Sequence, residues 1–152
     1  MSEHTATVAW KRSTPDFSYP SYVRDHDVTL GPAHTALRAS AAADYRGDAA
    51  LPNPEDLLVA ALSSCHMLTF LAIAARKGIV VDAYDDDAVG HLEKGADGRV
   101  AVTRVVLRPR VVYGGDARPD AAAEEAMHAS AHRGCFIASS VKTEVRVEPR
   151  SA

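Results

Sequence analysis

The most constraining feature of this sequence is one long apolar segment, residues 57–75, near the middle of a chain of 152 residues. Asn53 is a favoured helix N-cap, and Pro54 suits the first helical position. Gly78 is a typical residue just past a helix end. The sequence therefore predicts a helix over 54–77, apolar on nearly every face.

A helix of this length and composition approaches that of a membrane span. Ser63, His66 and Thr69 interrupt its middle, however, and the sequence contains no second candidate span. A central helix buried on all sides is the favoured interpretation. Because one chain of this size would struggle to surround such a helix, we expect a second copy to cover the remaining face, giving an obligate homodimer.

The flanking segments alternate between strand and loop patterns. We predict strands at 5–12, 27–30, 34–40, 79–93, 98–113 and 136–148, loops at 13–26 and 44–53, and a second helix at 119–133. With 47% apolar and 24% charged residues, the composition is that of a globular protein. The order of elements predicts an α+β fold, and the length predicts a single domain over 1–152.

Net charge and termini exclude several classes of function. The formal net charge of −3 carries no basic excess for nucleic acid or an anionic membrane. Residues 1–5 lack the basic and apolar regions of a secretory signal, so we expect a soluble cytoplasmic protein. The absence of Walker, GxGxxG, CxxC and GxSxG motifs leaves nucleotide, thioredoxin and hydrolase functions without support.

The chain has two cysteines, Cys65 and Cys135, too few for a structural disulfide framework. Each is either a buried apolar side chain or part of a reactive couple. An apolar helix raises the pKa of a thiol, so a reactive Cys65 would need a cation from elsewhere in the fold. His66 points about 100° away around the helix and is not expected to be the base. Cys135 follows Gly134 at a helix end, which suits a resolving thiol and a structural cysteine equally.

One motif resembles a known family. The stretch Asn53-Pro54-Glu55-Asp56-Leu57-Leu58, followed by Ala60-Ala61 and Cys65, resembles the signature of the OsmC/Ohr family of osmotically induced and organic hydroperoxide resistance proteins. The run Cys65-His66-Met67 resembles one branch of that family. The resemblance implies an OsmC-like fold, with antiparallel sheets wrapped around long central helices in an intertwined homodimer.

The resemblance also implies a chemistry, that of an organic hydroperoxide reductase. Cys65 would be the peroxidatic thiolate that becomes a sulfenic acid, and Cys135 would condense with it to a disulfide. An external dithiol, dihydrolipoamide or a lipoylated protein, would reopen that disulfide without a bound cofactor or metal. The apolar central helix suits an alkyl or aryl hydroperoxide as substrate.

The family pairs an arginine with the glutamate of its motif, which is Glu55 here. Arg24, in a loop, is the favoured partner, and Arg46 is the alternative. Glu55 and Cys65 lie ten residues apart, about 15 Å along a straight helix. Glu55 would therefore serve the Cys65 of a second subunit, unless the helix breaks after Glu55.

Two other functions stay open. His128 and His132 share one helix face at i, i+4 spacing, and with Cys135 they could hold zinc, although surface histidines on an alanine-rich helix are the favoured interpretation. The other alternative is a protein that binds a small apolar ligand and whose cysteines are structural.

Overall fold

Helix α1 extends from Pro54 to Arg76 in the computed structural model, which describes residues 1–151. Asn53 Oδ1 accepts a hydrogen bond from the Asp56 N–H at 2.9 Å, and Asp56 Oδ2 accepts one from the Asn53 N–H at 3.0 Å. This reciprocal cap satisfies donors at the helix start. At the other end Gly78 has φ +70, a conformation that other residues adopt at a cost. The predicted N-cap and C-terminal glycine are both confirmed.

The chain divides into two compact units, Met1–Leu57 and Leu58–Ala152, so the boundary falls inside α1. The first unit contains a three-stranded antiparallel meander of β1 (Ala6–Ala9), β2 (His26–Leu30) and β3 (Thr35–Ala39). A short 3₁₀ turn at Ala43–Tyr45 follows it. The single domain stays a prediction, whereas the α+β fold class is confirmed.

The second unit contains two small sheets and helix α2 (Ala121–Gly134). Its strands are β4 (Val80–Asp86), β5 (Val89–Lys94), β6 (Val100–Leu107), β7 (Pro109–Gly114) and β8 (Glu144–Val147). Strands β4 and β7 pair antiparallel in one sheet. In the other sheet β6 lies between an antiparallel β5 and a parallel β8. The Asp120 carboxylate caps α2 by accepting from the Ala123 N–H at 2.8 Å.

The prediction of two long strands at 79–93 and 98–113 was wrong, because each segment breaks and changes sheet. The breaks meet at the acidic run that begins at Asp85. Asp86 accepts hydrogen bonds from the Ser63 hydroxyl at 2.5 Å and from the Arg108 N–H at 2.6 Å. Asp85 and Asp87 pair with Arg150. Through these hydrogen bonds and ion pairs, the acidic run connects the breaks between the strands to α1 and to the C-terminal segment.

Within its own chain α1 buries only one face, at Leu62, His66, Phe70 and Ala74. Phe70 and Ala74 pack with Met127 and Ala131 of α2, and each large side chain buried there contributes roughly 1.5–3 kcal/mol. On the opposite face Leu68 remains 61% exposed. Burial on all sides is therefore not achieved by one chain.

Candidate functional site

The two thiols meet where the end of α2 approaches the middle of α1, within the second unit. Cys65 is half-buried on α1, and Cys135 is 1% exposed directly after α2. Both are free thiols, and they lie close enough for each to change the pKa of the other. Gly134 permits this approach: a Cβ there would lie 3.1 Å from the Thr69 methyl group, one turn after Cys65.

Backbone amides lie close to both sulfur atoms. After α2 the chain enters a 3₁₀ turn at Ala138–Ser140, and N–H groups at the start of this turn lie near the thiols. The Ala138 N–H donates to Cys135 Sγ at 3.4 Å. The Phe136 and Ile137 N–H groups lie close enough to Cys65 to lower the pKa of its thiol. These donors lie at the start of a helical turn, where no carbonyl of the turn itself is available to them.

The two thiols differ in acidity. Burial raises the pKa of Cys65, but hydrogen bonds from the Ile137 N–H, the Cys135 thiol and the Phe136 N–H outweigh it, and the net pKa is lowered. Burial and the neighbouring Cys65 raise the pKa of Cys135. Cys65 is therefore the sulfur that ionises first, and Cys135 stays a protonated thiol beside it.

The prediction of a strand over 136–148 was wrong. Because a strand was expected there, the backbone N–H groups near Cys65 were not recognised from the sequence. Only Glu144–Val147 is a strand, and the residues before it form the turn. A signal for the turn was present in Ser139 and Ser140, whose hydroxyls bond back to the carbonyls of Cys135 at 3.1 Å and Phe136 at 2.7 Å. The cation that we expected to lower the pKa of Cys65 stays a prediction; within residues 1–151, hydrogen bonding from backbone N–H groups and from the Cys135 thiol lowers this pKa.

A groove of about 750 Å³ opens over Cys65. Its lining is largely apolar, with Leu68, Ala72, Ile73, Phe136 and Ile137 around the sulfur. Phe136 is 82% exposed, so the ring stands at the edge of the groove rather than in the core. The groove can therefore hold an apolar group against the more acidic thiol.

Arg24 and Glu55 line one cavity of about 710 Å³ in the first unit, together with aromatic side chains. Arg24 is only 9% exposed. Its guanidinium donates to the carbonyls of Tyr22 and, at 2.5 Å, Tyr19, and lies 3.8 Å from the centre of the Tyr22 ring. Within residues 1–151, Arg24 and Glu55 form no salt bridge with one another.

Arg46, the alternative partner of Glu55, sits differently. It has a left-handed φ of +65, and its guanidinium lies 5.9 Å from the Tyr19 ring centre. It does not line the cavity that Arg24 shares with Glu55. The geometry of the first unit thus favours Arg24, although its role stays a prediction.

The histidines lie elsewhere than the sequence indicated. His128 is 3% exposed, so the interpretation as a surface residue was wrong. Its Nδ1 lies 3.1 Å from Nε2 of His66, which accordingly faces away from Cys65. In the part of the chain that the structure describes, no three His, Cys, Asp or Glu side chains are placed to hold a metal ion. The zinc alternative with His128, His132 and Cys135 therefore has no geometric support.

Comparison with known proteins places this arrangement in a family. The chain is 44% identical to an OsmC-like protein of unknown function from Vibrio cholerae, with a TM-score of 0.94 over 99% of this chain and 100% of that one. The organic hydroperoxide resistance protein OhrB of Bacillus subtilis superposes with a TM-score of 0.64 at 16% identity, over 99% and 98% of the two chains.

An organic hydroperoxide resistance protein OsmC from Legionella pneumophila gives a TM-score of 0.68 at 16% identity, over 100% of this chain and 98% of that one. At this identity the likeness shows the fold alone. No curated protein sequence matches the chain.

Helix α1 is long and apolar enough to cross a membrane by length and composition alone. It is instead the core helix of a soluble fold, as the relatives indicate. Residues 47–150, which include the Asn53-Pro54-Glu55 motif and both cysteines, match the family model of OsmC-like proteins. The chain therefore belongs to the OsmC-like protein family.

Proposed function

We propose that this protein is a two-cysteine thiol peroxidase that reduces organic hydroperoxides. The observation that carries the proposal is the thiol pair itself, in which backbone amides favour the thiolate of Cys65 while Cys135 stays protonated in contact with it. The names of the hydroperoxide resistance proteins that share the fold support the same chemistry. The apolar groove over Cys65 favours an alkyl or aryl peroxide over hydrogen peroxide.

The proposed cycle has three steps. The Cys65 thiolate attacks one peroxide oxygen, an S–O bond forms as the O–O bond breaks, and the alkoxide leaves as an alcohol after taking a proton. The sulfur of Cys135 then attacks Cys65, forming the S–S bond and releasing water. A dithiol, dihydrolipoamide or a lipoylated protein, reopens the disulfide by two exchanges and is itself oxidised. Such a cycle needs a reducing compartment, which supports a cytoplasmic location.

The proposal includes a second copy of this chain seated on the exposed face of α1. An 18-residue window of α1 has a mean hydropathy of 2.0, yet only 22% of it is buried. An apolar face of this kind needs a cover, and in a symmetric pair the same face of the other copy supplies it. Because α1 is continuous from Pro54 to Arg76, Glu55 would act with Arg24 at the Cys65 of the other subunit.

The dimer makes a measurable prediction. Replacing Leu68, 61% exposed on this face, with glutamate would place a charge in the interface, and we expect loss of the dimer at micromolar concentration. Light scattering after size exclusion measures the mass. Val100→Glu is the matched control, since Val100 is 55% exposed on β6. A Leu68→Glu protein with the mass of a dimer would contradict this part of the proposal.

Stoichiometric oxidation tests the chemistry. One equivalent of cumene hydroperoxide should remove both thiols of the reduced protein within seconds, with peptides that link Cys65 to Cys135. Cys135→Ser should consume about one equivalent and then stall as a sulfenic acid, trapped by dimedone, or a more oxidised form. Two unreacted thiols in the folded wild-type protein would contradict the proposal and favour the alternative of a protein that binds a small apolar ligand in the groove.

A further inference from the structure

In the part of the chain that the structure describes, the fully buried polar side chains of α1 and α2 are one pair of histidines. His66 of α1 is 1% exposed and His128 of α2 is 3% exposed. Their rings are nearly parallel, with an interplanar angle of 8°, and their centres lie 5.4 Å apart. The Phe70 ring stacks on the His128 ring, with their centres 4.3 Å apart. No other part of the described α1–α2 contact contains a hydrogen bond between side chains.

The position of Glu124 favours one arrangement of the protons on the two rings. Its Oε1 lies 4.0 Å from His128 Nε2, too far for a hydrogen bond but close enough for attraction to an N–H. A proton on Nε2 leaves His128 Nδ1 as an acceptor, so Nε2 of His66 must be the donor across the 3.1 Å contact. Both rings are then neutral: His66 Nδ1 is an unpaired lone pair, and the N–H at His128 Nε2 faces Glu124 at 4.0 Å without a hydrogen-bond partner.

Other ionisable groups face the pair from three directions. His132 of α2 lies close enough to disfavour a charge on His66. Tyr113 of β7 lies close enough to Glu124 for that carboxylate to raise its pKa, and Tyr84 of β4 packs on Phe70. Glu125 and Arg150 line the cavity onto which His128 opens. Burial keeps both histidines neutral, lowering the pKa of each to about 4.

We propose that the His66–His128 hydrogen bond is a positioning device that fixes the register of α1 against α2 and thereby holds Cys65 and Cys135 together. His66 adjoins Cys65 on α1, and Cys135 directly follows α2. An apolar contact can repack in more than one register, whereas a single buried polar pair is satisfied in one register only. This inference rests on the proposed function, because it gives the thiol pair its geometry.

The distances involved make register decisive. Slipping one helix by a single turn moves its residues by about 5.4 Å, whereas a disulfide needs its sulfurs about 2.05 Å apart. The amides that favour the Cys65 thiolate belong to the turn after α2, so they would move with Cys135. Both features of the site therefore depend on the same helix register.

The test is the equilibrium of the two cysteines with reduced and oxidised glutathione, read by alkylation and intact mass. In this exchange each disulfide formed in the protein converts one oxidised glutathione into two reduced molecules. The equilibrium gives the effective concentration of Cys65 relative to Cys135. Because it uses no peroxide, it reports on positioning even if the protein proves to have no peroxidase activity.

Three variants separate positioning from packing. His66→Phe and the double variant His66→Phe/His128→Phe remove the hydrogen bond, and we expect the effective concentration to fall by about tenfold or more in each. The double variant should nonetheless regain thermal stability over the single, because it buries no unpaired nitrogen. His66→Gln keeps a donor in the position of Nε2 and should stay within about threefold of wild type.

A double variant with the wild-type effective concentration would overturn the proposal, since packing alone would then set the register. So would a fall in His66→Gln as large as that in His66→Phe. If His66→Phe does not fold, the double variant and His66→Gln decide between these outcomes.

Discussion

Cys65→Ser should abolish steady consumption of cumene hydroperoxide, lowering kcat/KM by on the order of 10³-fold or more, because a serine hydroxyl stays protonated where the thiol ionises. The backbone N–H groups of Phe136 and Ile137 would still be present, but they would face a neutral oxygen that cannot attack the O–O bond. The measurement is peroxide loss in the presence of dihydrolipoamide, at equal concentrations of folded protein. Cys65 is half-buried at the groove, so serine should leave the fold intact.

Cys135→Ser is the matched control for that experiment, since it removes the other sulfur and leaves the attacking one. It should complete the first turnover at a rate close to that of wild type and lose only the later ones. Steady turnover in Cys65→Ser would exclude Cys65 as the nucleophile. Equal loss of the first turnover in both variants would assign the attack to the pair rather than to Cys65.

The parts of the fold that local chemistry controls could be predicted from the sequence. Asn53, Pro54 and Gly78 act within a few residues of their own positions, so the bounds of α1 followed directly from them. The strand corner near Asp86 could not be predicted in this way. Its breaks depend on partners that are distant in sequence, such as Ser63 and Arg108, while the apolar pattern continues through them.

The candidate site likewise has one part that could be predicted from the sequence and one part that could not. Its two cysteines could be found because the motif that precedes Cys65 identifies them. The backbone groups that lower the pKa of Cys65 could not, because N–H groups belong to every residue and only the path of the chain after α2 brings those of Phe136 and Ile137 near the sulfur. His128 was misplaced because an alanine-rich helix gives little contrast between its buried and exposed faces.

The buried histidines also predict a marked loss of stability in acid. Burial and then the neighbouring His128 and His132 lower the pKa of His66 from 6.5 to about 4, and burial alone lowers that of His128 to about 4. Between pH 6.5 and pH 4 these histidines bind protons in the unfolded chain but not in the folded chain, so the free energy of unfolding falls as the pH drops. The contribution is complete above pH 6.5 and declines through the range down to pH 4.

Two such groups change the free energy of unfolding by about 2.7 kcal/mol per pH unit within that window, or roughly 4 kcal/mol between pH 7 and pH 5. Carboxylates titrate in the same direction, so the comparison must be with His66→Phe/His128→Phe, which keeps every carboxylate and removes only these two histidines. Urea unfolding at pH 7, 6 and 5, at one protein concentration, should give a much smaller pH dependence in the double variant. His4→Gln changes an exposed histidine and should leave the wild-type dependence intact. If the free energy of unfolding had the same pH dependence in wild type and in the double variant, the folded protein would be able to protonate these histidines without cost. Separation of α1 and α2 at the histidine pair, before the whole chain unfolds, would explain that result.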